Sequence, residues 1–352
     1  MKKKIKVLMC GSALSNGGGV VSVTCNYLNY KEWDNVHIEY IPTHINGNAI
    51  KKIIFFITAY FKIFRMLCLS KVDIMHLHLC DGGPFYRKSI LLFTAHLFHV
   101  KTILHHHTDY GPFFSASNRI KKMFIKKVLQ TADTNLVLGE CLKEQLVRFS
   151  PGIVVKVIRN GIYVPNVNPY NKNGFGILFL GWFHESKGFF DFLDAFTLIK
   201  DKIDQKYKLV LCGGGTQEEI DKIKEYDVED RIYYIGWADA NKKEELFKNV
   251  VINVLPSYKE GLPMSIIETM SFGIPNIATN ITTIPEIIIN EKSGYITDPG
   301  NIEELAKKME LLLNDSIMRE KFSIASFEKT KNDFDVIKQL EISNRLYHEL
   351  TI

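Results

Sequence analysis

Nine residues, EGLPMSIIE (Glu260–Glu268), put a carboxylate at each end of a short turn and an apolar run. Pro263 suits the first turn of a helix, because its φ is already helical and its missing N–H would have no partner there. Gly273 and Pro275 then close that helix. Glu260 is therefore expected in the loop before the helix, and Glu268 within its first turns. Carboxylates so placed can accept hydrogen bonds from a ligand seated at the helix end, where unpaired N–H groups and the macrodipole favour an anion.

Four other stretches carry residues with chemistry. In FLGWFHESKGFF, Lys187 and Gly188 open a helix after a strand, which suits a phosphate and equally suits a solvated lysine. In LCGGGTQEE, Gly213, Gly214 and Gly215 stand between a strand and a helix, where glycines let backbone approach a ligand or simply turn. SNGGGVVS holds Gly17, Gly18 and Gly19, but Ser22 occupies the third glycine position of a dinucleotide fingerprint. The following strand, VHIEYI, ends in Tyr40 and Ile41 rather than in an acid for ribose. HHHTD places His105 and His107 on one face of a strand and His106 on the other, with His76 and His78 on the strand before. Their spacing matches no tetrahedral zinc set. They read as hydrogen-bonded core histidines, as exposed strand-end groups, or, for one facing a cleft, as a substrate contact.

Strand-length apolar runs alternate with helical patterns along the whole chain. IKVLMC, VHIEYI, VDIMHLHL, KTILHHH, DTNLVLG and VVKVIR are expected strands of a first half, and GILFLGW, YKLVLCG, RIYYIGW, VVINVL and PNIAT of a second. This alternation implies an α/β fold of two doubly wound, Rossmann-like domains. Ligands of such sheets bind at the carboxyl ends of the strands, so the cleft between two facing sheets is the expected site. The Asn-, Pro- and Gly-rich NGIYVPNVNPYNKNG is the linker candidate, and DVIKQLEISNRLYHEL reads as an amphipathic C-terminal helix. The expected division is 1–163, 164–332 and a final helix, 333–352, crossing back to the first domain.

The 352 residues suffice for two domains with a substantial core. The first 163 carry 22 Lys and Arg against 9 Asp and Glu, a net of +13; the remainder carry 22 against 30, a net of −8. The basic half is expected to face something anionic. No recognised nucleic-acid motif is present, so nucleic acid is not an expected partner. RIKKMFIKKVL (Arg119–Leu129) is a basic helix, with an apolar stripe of Ile120, Met123, Phe124 and Val128 expected against the core. The sharper reading of its lysines is attraction to an anionic membrane surface. The six cysteines form no CxxC pair, which suits a reducing compartment. MKKKIKVLMC is too short in its apolar part for a signal peptide. IIFFITAYFKIFRMLCLS is interrupted by Lys62 and Arg65 and falls short of a membrane span. The expected location is cytoplasmic, peripheral on the inner face of the plasma membrane.

PSYKEGLPMSIIETMSFGIPNIAT resembles the donor-binding signature of retaining glycosyltransferases of family 4, the group 1 glycosyl transferases of GT-B fold that serve bacterial polysaccharide and lipid-linked glycan assembly. SNGGGV, DIMHLHL, FYRKS, ILHHHTDY, VIRNGI, FLGWFHESKG, LCGGG, YYIGW and GYITDPGNIEELAKKM agree in order, so the resemblance covers nearly the whole chain. It implies a transferase of the hexosyl or N-acetylhexosaminyl type that moves a sugar from a nucleotide-sugar, UDP before GDP, to a glycan acceptor, plausibly on a polyprenyl diphosphate. It implies no cofactor and no metal. By the resemblance, Glu260, His107 and Lys187 are the catalytic group: Glu260 beside the donor sugar, Lys187 on the diphosphate and His107 near the transferred sugar. Gly18, Gly181, Gly213, Gly214, Gly261, Leu262, Pro263, Met264 and Glu268 join Lys187 in donor binding, with Glu268 on the ribose. The family's Gly-Arg pair is here Gly181–Trp182, so one diphosphate cation is missing; Arg159 and Arg87 are its candidate replacements. A nucleotide-sugar-binding protein with weakened catalysis is the alternative, and a NAD-dependent oxidoreductase stands behind it.

Overall fold

A computed structural model describes residues 4–69 and 71–351, so the chain's first three residues, Ser70 of the apolar run and Ile352 lie outside the description. The chain forms two compact units. One comprises the residues up to Gly161 together with those from Val336 onward; the other is Ile162–Asp335. Both crossings lie within three residues of the positions expected from the sequence.

The first unit is built on six parallel strands: β1 (Ile5–Gly11), β2 (Val36–Pro42), β3 (Ile74–Leu79), β4 (Lys101–His106), β5 (Thr134–Val137) and β6 (Val155–Val157). Their order is β2-β1-β3-β4-β5-β6. The inner strands β3 and β5 are buried at every residue, as strands covered by helices on both faces must be. The helix Val336–Thr351 belongs to this unit: Val336, Leu340, Leu346 and Tyr347 join a core with Val7, Met9, Tyr27 and Ile74.

The second unit repeats the plan with β7 (Gly176–Trp182), β8 (Lys208–Gly214), β9 (Ile232–Gly236), β10 (Val250–Leu255), β11 (Asn276–Thr279) and β12 (Gly294–Thr297), in the order β12-β11-β10-β7-β8-β9. The strand β12, GYIT, is too short to announce itself as an apolar run. The order reverses between β7 and β10, which makes the carboxyl ends of those two strands the unit's switch point.

Two glycines there are obligatory. A Cβ on Gly188 would meet the Pro256 carbonyl oxygen at 2.0 Å, and its φ is +65°. A Cβ on Gly213 would meet the Gly181 oxygen at 1.7 Å. The bare backbone therefore lets the loops after β7, β8 and β10 close on one another.

Candidate functional site

At the switch point β7 ends in Gly181 and Trp182, and a single turn, Glu185–Lys187, leads into the helix Phe189–Ile199. The chain leaving β10 passes through Ser257 to Glu260. The two loops are joined where the Tyr258 N–H donates to the Ser186 carbonyl at 3.0 Å. This stitching brings Lys187 Nζ to 2.7 Å from Glu260 Oε1, and the Ser257 hydroxyl donates to the same oxygen at 2.8 Å. Among the described residues no bond falls on Oε2. The Glu260 side chain is only 9% exposed and Lys187 is 32% exposed, so the pair is half inside the protein. The Glu260 and Gly261 carbonyls accept from the Thr282 and Thr283 hydroxyls at 3.0 and 2.6 Å, which fixes the loop.

The helix that follows runs Met264–Ser271, one residue later than the sequence suggests. Pro263 holds the extended cap position, with ψ at 104°, instead of the first helical one. Leu262 is buried and anchors the turn. Gly273, at φ +66°, closes the helix as expected. Glu268 faces a different lysine from Glu260: Lys243 Nζ, on the helix Ala240–Phe247, lies 2.5 Å from its Oε2. This pair lines a pocket of about 640 Å³ with Tyr163, Pro165, Phe247 and Phe272. Gly214 backs onto Trp237, whose ring lies 5.9 Å from that of Trp182, so an exposed aromatic pair borders the ends of β7 and β9.

The other two expected site residues belong to the first unit. Gly18, at φ +88°, caps the helix Gly19–Asn29, and a Cβ there would meet nothing within 4 Å. His107 follows β4 and is buried, its Nε2 2.8 Å from His78 Nδ1. His78 in turn lies opposite His105 in the β3–β4 register, and the His105 and His107 rings stack at 4.3 Å. His76 is bonded through Nδ1 to the Tyr347 hydroxyl at 2.7 Å and through Nε2 to His105 at 3.1 Å. His106 points to the opposite face and to Asn135 Oδ1 at 3.1 Å. The alternation read from the sequence thus holds, and the histidines form one buried, stacked cluster. His76, His78 and His105 bring ring nitrogens within 4.8 Å of one another, and a metal bound through His76 would displace one of that ring's two hydrogen bonds, to Tyr347 or to His105.

Burial sets the protonation of this cluster. It holds His76 and His107 at about 3 and His106 at about 4, and pushes His78 and His105 well below the ordinary value. A neutral histidine in the fold that would protonate near 6.5 when unfolded stabilises the fold above that pH. The stability is lost as the pH falls from about 6.5 toward the folded values, by up to about 1.4 kcal/mol per pH unit for each histidine. The midpoint of thermal unfolding should therefore drop steeply between pH 6.5 and 4.5 in a pH series. A midpoint unchanged from pH 7 to 5 would contradict the burial argument.

Sequence reasoning missed several partners. Ser257 carries no motif beyond standing three residues before Glu260, and Lys243 is one of many exposed-looking lysines. Lys88 is the third: it is buried, donates to the Thr43 hydroxyl, and is held at about 8 by burial. Of the candidate replacement cations, the Arg159 backbone N–H donates to Gln339 Oε1 at 3.1 Å, and Arg87 is half-buried at the start of the helix Gly83–Leu97. The one Asp-x-Asp triplet, Asp333 to Asp335, lies at the end of the helix Ser316–Asp333, where Asp333 binds Lys329 at 2.6 Å.

Residues 165–329, nearly all of the second unit, match the model of the glycosyl transferases group 1 family. The second unit is thus a group 1 glycosyl transferase domain. The chain is 24% identical over 349 residues to an Escherichia coli UDP-Gal:alpha-D-GlcNAc-diphosphoundecaprenol alpha-1,3-galactosyltransferase, covering 91% of this chain and 85% of that protein. Sucrose-phosphate synthase from Thermosynechococcus elongatus superimposes with a TM-score of 0.76 at 16% identity, over 98% of this chain and 99% of that one. HepE from Anabaena, solved in complex with UDP, gives a TM-score of 0.76 at 14% identity over 97% and 99%. The two doubly wound sheets of this glycosyltransferase are the GT-B fold.

Proposed function

We propose that this glycosyltransferase moves a hexosyl or N-acetylhexosaminyl group from a UDP-sugar to a glycan acceptor carried on a polyprenyl diphosphate, with retention at the anomeric carbon. It would act in the cytoplasm, in the assembly of cell-surface polysaccharide. The observation that carries this reading is the pair of Lys187 and Glu260 at the β7/β10 switch point. Glu260 keeps Oε2 for the hydroxyls of the donor sugar while Ser257 and Lys187 hold Oε1. Lys187 and the N-terminus of the helix Met264–Ser271 offset the charge that develops on the leaving diphosphate. For Gly18 of the first unit, a role in donor binding is supported by the family resemblance. Glu268 accepts from the ribose diol. With no protein nucleophile assigned, the acceptor attacks from the face that the diphosphate leaves; for His107, a role beside the transferred sugar is supported by the family resemblance. No cofactor or metal enters this scheme. The UDP bound by HepE and the lipid-linked substrate for which the Escherichia coli relative is named support the choice of donor and acceptor class.

Thermal-shift titration with UDP, GDP, ADP and NAD, followed by UDP-sugars, tests the donor. A ligand at 100 times its Kd adds about 2.7 kcal/mol to the stability of the folded state. UDP is expected to raise the melting midpoint selectively. A response to NAD alone overturns the reading. UDP binding without sugar transfer would instead favour a binding protein with weakened catalysis, the reading suggested by Trp182 in place of the family's arginine.

A further inference from the structure

The helix Ala49–Cys68 buries one face, through Ala59, Ile63 and Leu67, and leaves a second apolar face uncovered. Ile50, Ile53, Ile54, Ile57 and Phe61 fall on that second face by helical spacing. Ile50 is 70% exposed and Phe61 is 65% exposed. A soluble helix normally turns such a stripe inward.

The surface continues beyond this helix. Phe64 meets Phe98 at 5.6 Å, at the end of the helix Gly83–Leu97, and Tyr86 and Phe93 of that helix meet Phe124 at 5.8 and 6.2 Å. Phe124 belongs to the helix Arg119–Thr131. That helix corrects the expectation from its sequence. Ile125, Val128 and Leu129 are the residues it buries, whereas Ile120 is 78% exposed and Met123 also lies outside. Two apolar stripes compete on one helix: one is buried, and of the other only Phe124 finds ring neighbours, while Ile120 and Met123 stay outside.

Charge identifies what covers this face. The three helices contain eleven Lys and Arg and no Asp or Glu. Lys62 reaches Glu39 of β2 at 3.8 Å, and Lys88 is buried; the others have no acid on their own helices. Beside the exposed Met123 lies a pocket of about 680 Å³ lined by Arg119, Lys122, Lys126 and Arg148 with Phe114 and Phe149. It offers four cations and no carboxylate. An apolar stripe bordered by cations matches the interface of a bilayer, with acyl chains below and anionic headgroups beside. No described helix is long and apolar enough to cross a membrane, so the stripe can only lie in its plane.

We infer that the first unit docks on an anionic lipid bilayer, with the exposed face of Ala49–Cys68 inserted among the acyl chains and the Arg119–Arg148 pocket seated on a lipid phosphate. The inference is independent of the transfer reaction, because vesicle binding needs neither donor nor acceptor. It is tested by co-sedimentation of the full chain with vesicles of phosphatidylglycerol and phosphatidylcholine in equal parts, and with phosphatidylcholine alone. Binding to the mixed vesicles is expected to exceed binding to the neutral ones by more than about tenfold. The triple variant Ile53→Ser, Ile57→Ser, Phe61→Ser should lose about tenfold or more with an unchanged melting midpoint, since these side chains are exposed. Lys122→Glu with Lys126→Glu should lose binding to the mixed vesicles alone. Equal binding by the triple variant, or no binding by the parent chain, overturns the proposal. So does self-association without lipid that the triple variant abolishes, which would give the face to a second copy. Binding of inorganic phosphate with no vesicle binding would reduce the pocket to a soluble-anion site and overturn the bilayer as occupant.

Discussion

Glu260→Gln is expected to lower kcat by about 10²–10³-fold, the usual loss when one preorganised electrostatic contact to a transition state is removed. The change keeps the size of the side chain and an oxygen for the Ser257 hydroxyl, so the loop held by Thr282 and Thr283 should stay in place. What disappears is the negative charge that balances Lys187 and accepts from the sugar. Lys187→Met removes the other half of the pair and should act on both KM and kcat, because the diphosphate is charged in the ground state and more so as it leaves. Lys187 is a third exposed, so breaking the pair should cost only about 1 kcal/mol of stability. The measurement is UDP release from whichever UDP-sugar stabilises the protein, with the melting midpoint taken on the same samples. A Glu260→Gln protein that melts normally and turns over within about fivefold of the parent would remove Glu260 from the chemistry.

Tyr347→Ala should destabilise the first unit by about 3–5 kcal/mol, the range for deleting a buried aromatic ring. Tyr347 is fully buried in the last helix and lies 5.7 Å from Trp33 and 5.9 Å from His76, ring to ring. Its loss opens a cavity and leaves His76 Nδ1 without its partner. Tyr347→Phe keeps the ring and isolates the hydroxyl, at about 1–3 kcal/mol for a buried polar atom left unpaired. Urea unfolding followed through the Trp33 environment would read both. A loss under about 1 kcal/mol for Tyr347→Ala would show that the last helix is not part of that core. Since domains are stable by only about 5–15 kcal/mol, removing the helix from Val336 onward should abolish folding of the first unit altogether.

Eleven of the twelve strands were legible, the inner ones such as β3 and β10 as largely apolar runs buried on both faces and edge strands such as β2 and β9 as partly exposed alternating ones. β12 was not, since four residues, GYIT, cannot be told from a loop. The placing of Glu260 before a helix and of Glu268 within it was legible through the turn chemistry of Pro263 and Gly273. Their lysine partners were not equally so. Lys187 follows a strand and could be placed, but Lys243 comes from a helix whose approach to Glu268 depends on the packing of a whole unit. The histidine alternation followed from strand geometry, whereas the depth of the cluster required knowing that Tyr347, far along the chain, covers it. The exposed face of Ala49–Cys68 escaped for the opposite reason: apolar periodicity marks a stripe without saying whether anything in the fold meets it.

The C-terminal helix also bears on the order in which the chain can fold. The ends of the second unit are joined: the Ile162 N–H donates to the Phe334 carbonyl at 2.8 Å, and Ile162 bridges Asp335. A flexible loop of that unit's length would cost about 4–5 kcal/mol in closure entropy to bring Gly161 beside Val336. Once the inserted unit has folded, that distance is already spanned. The continuous unit is complete when Asp335 has been synthesised, while the N-terminal core still lacks Val336, Leu340, Leu346 and Tyr347. Translation therefore favours the second unit as the first to fold, and its folding delivers the last helix to the half of the protein that was made earliest and finishes last.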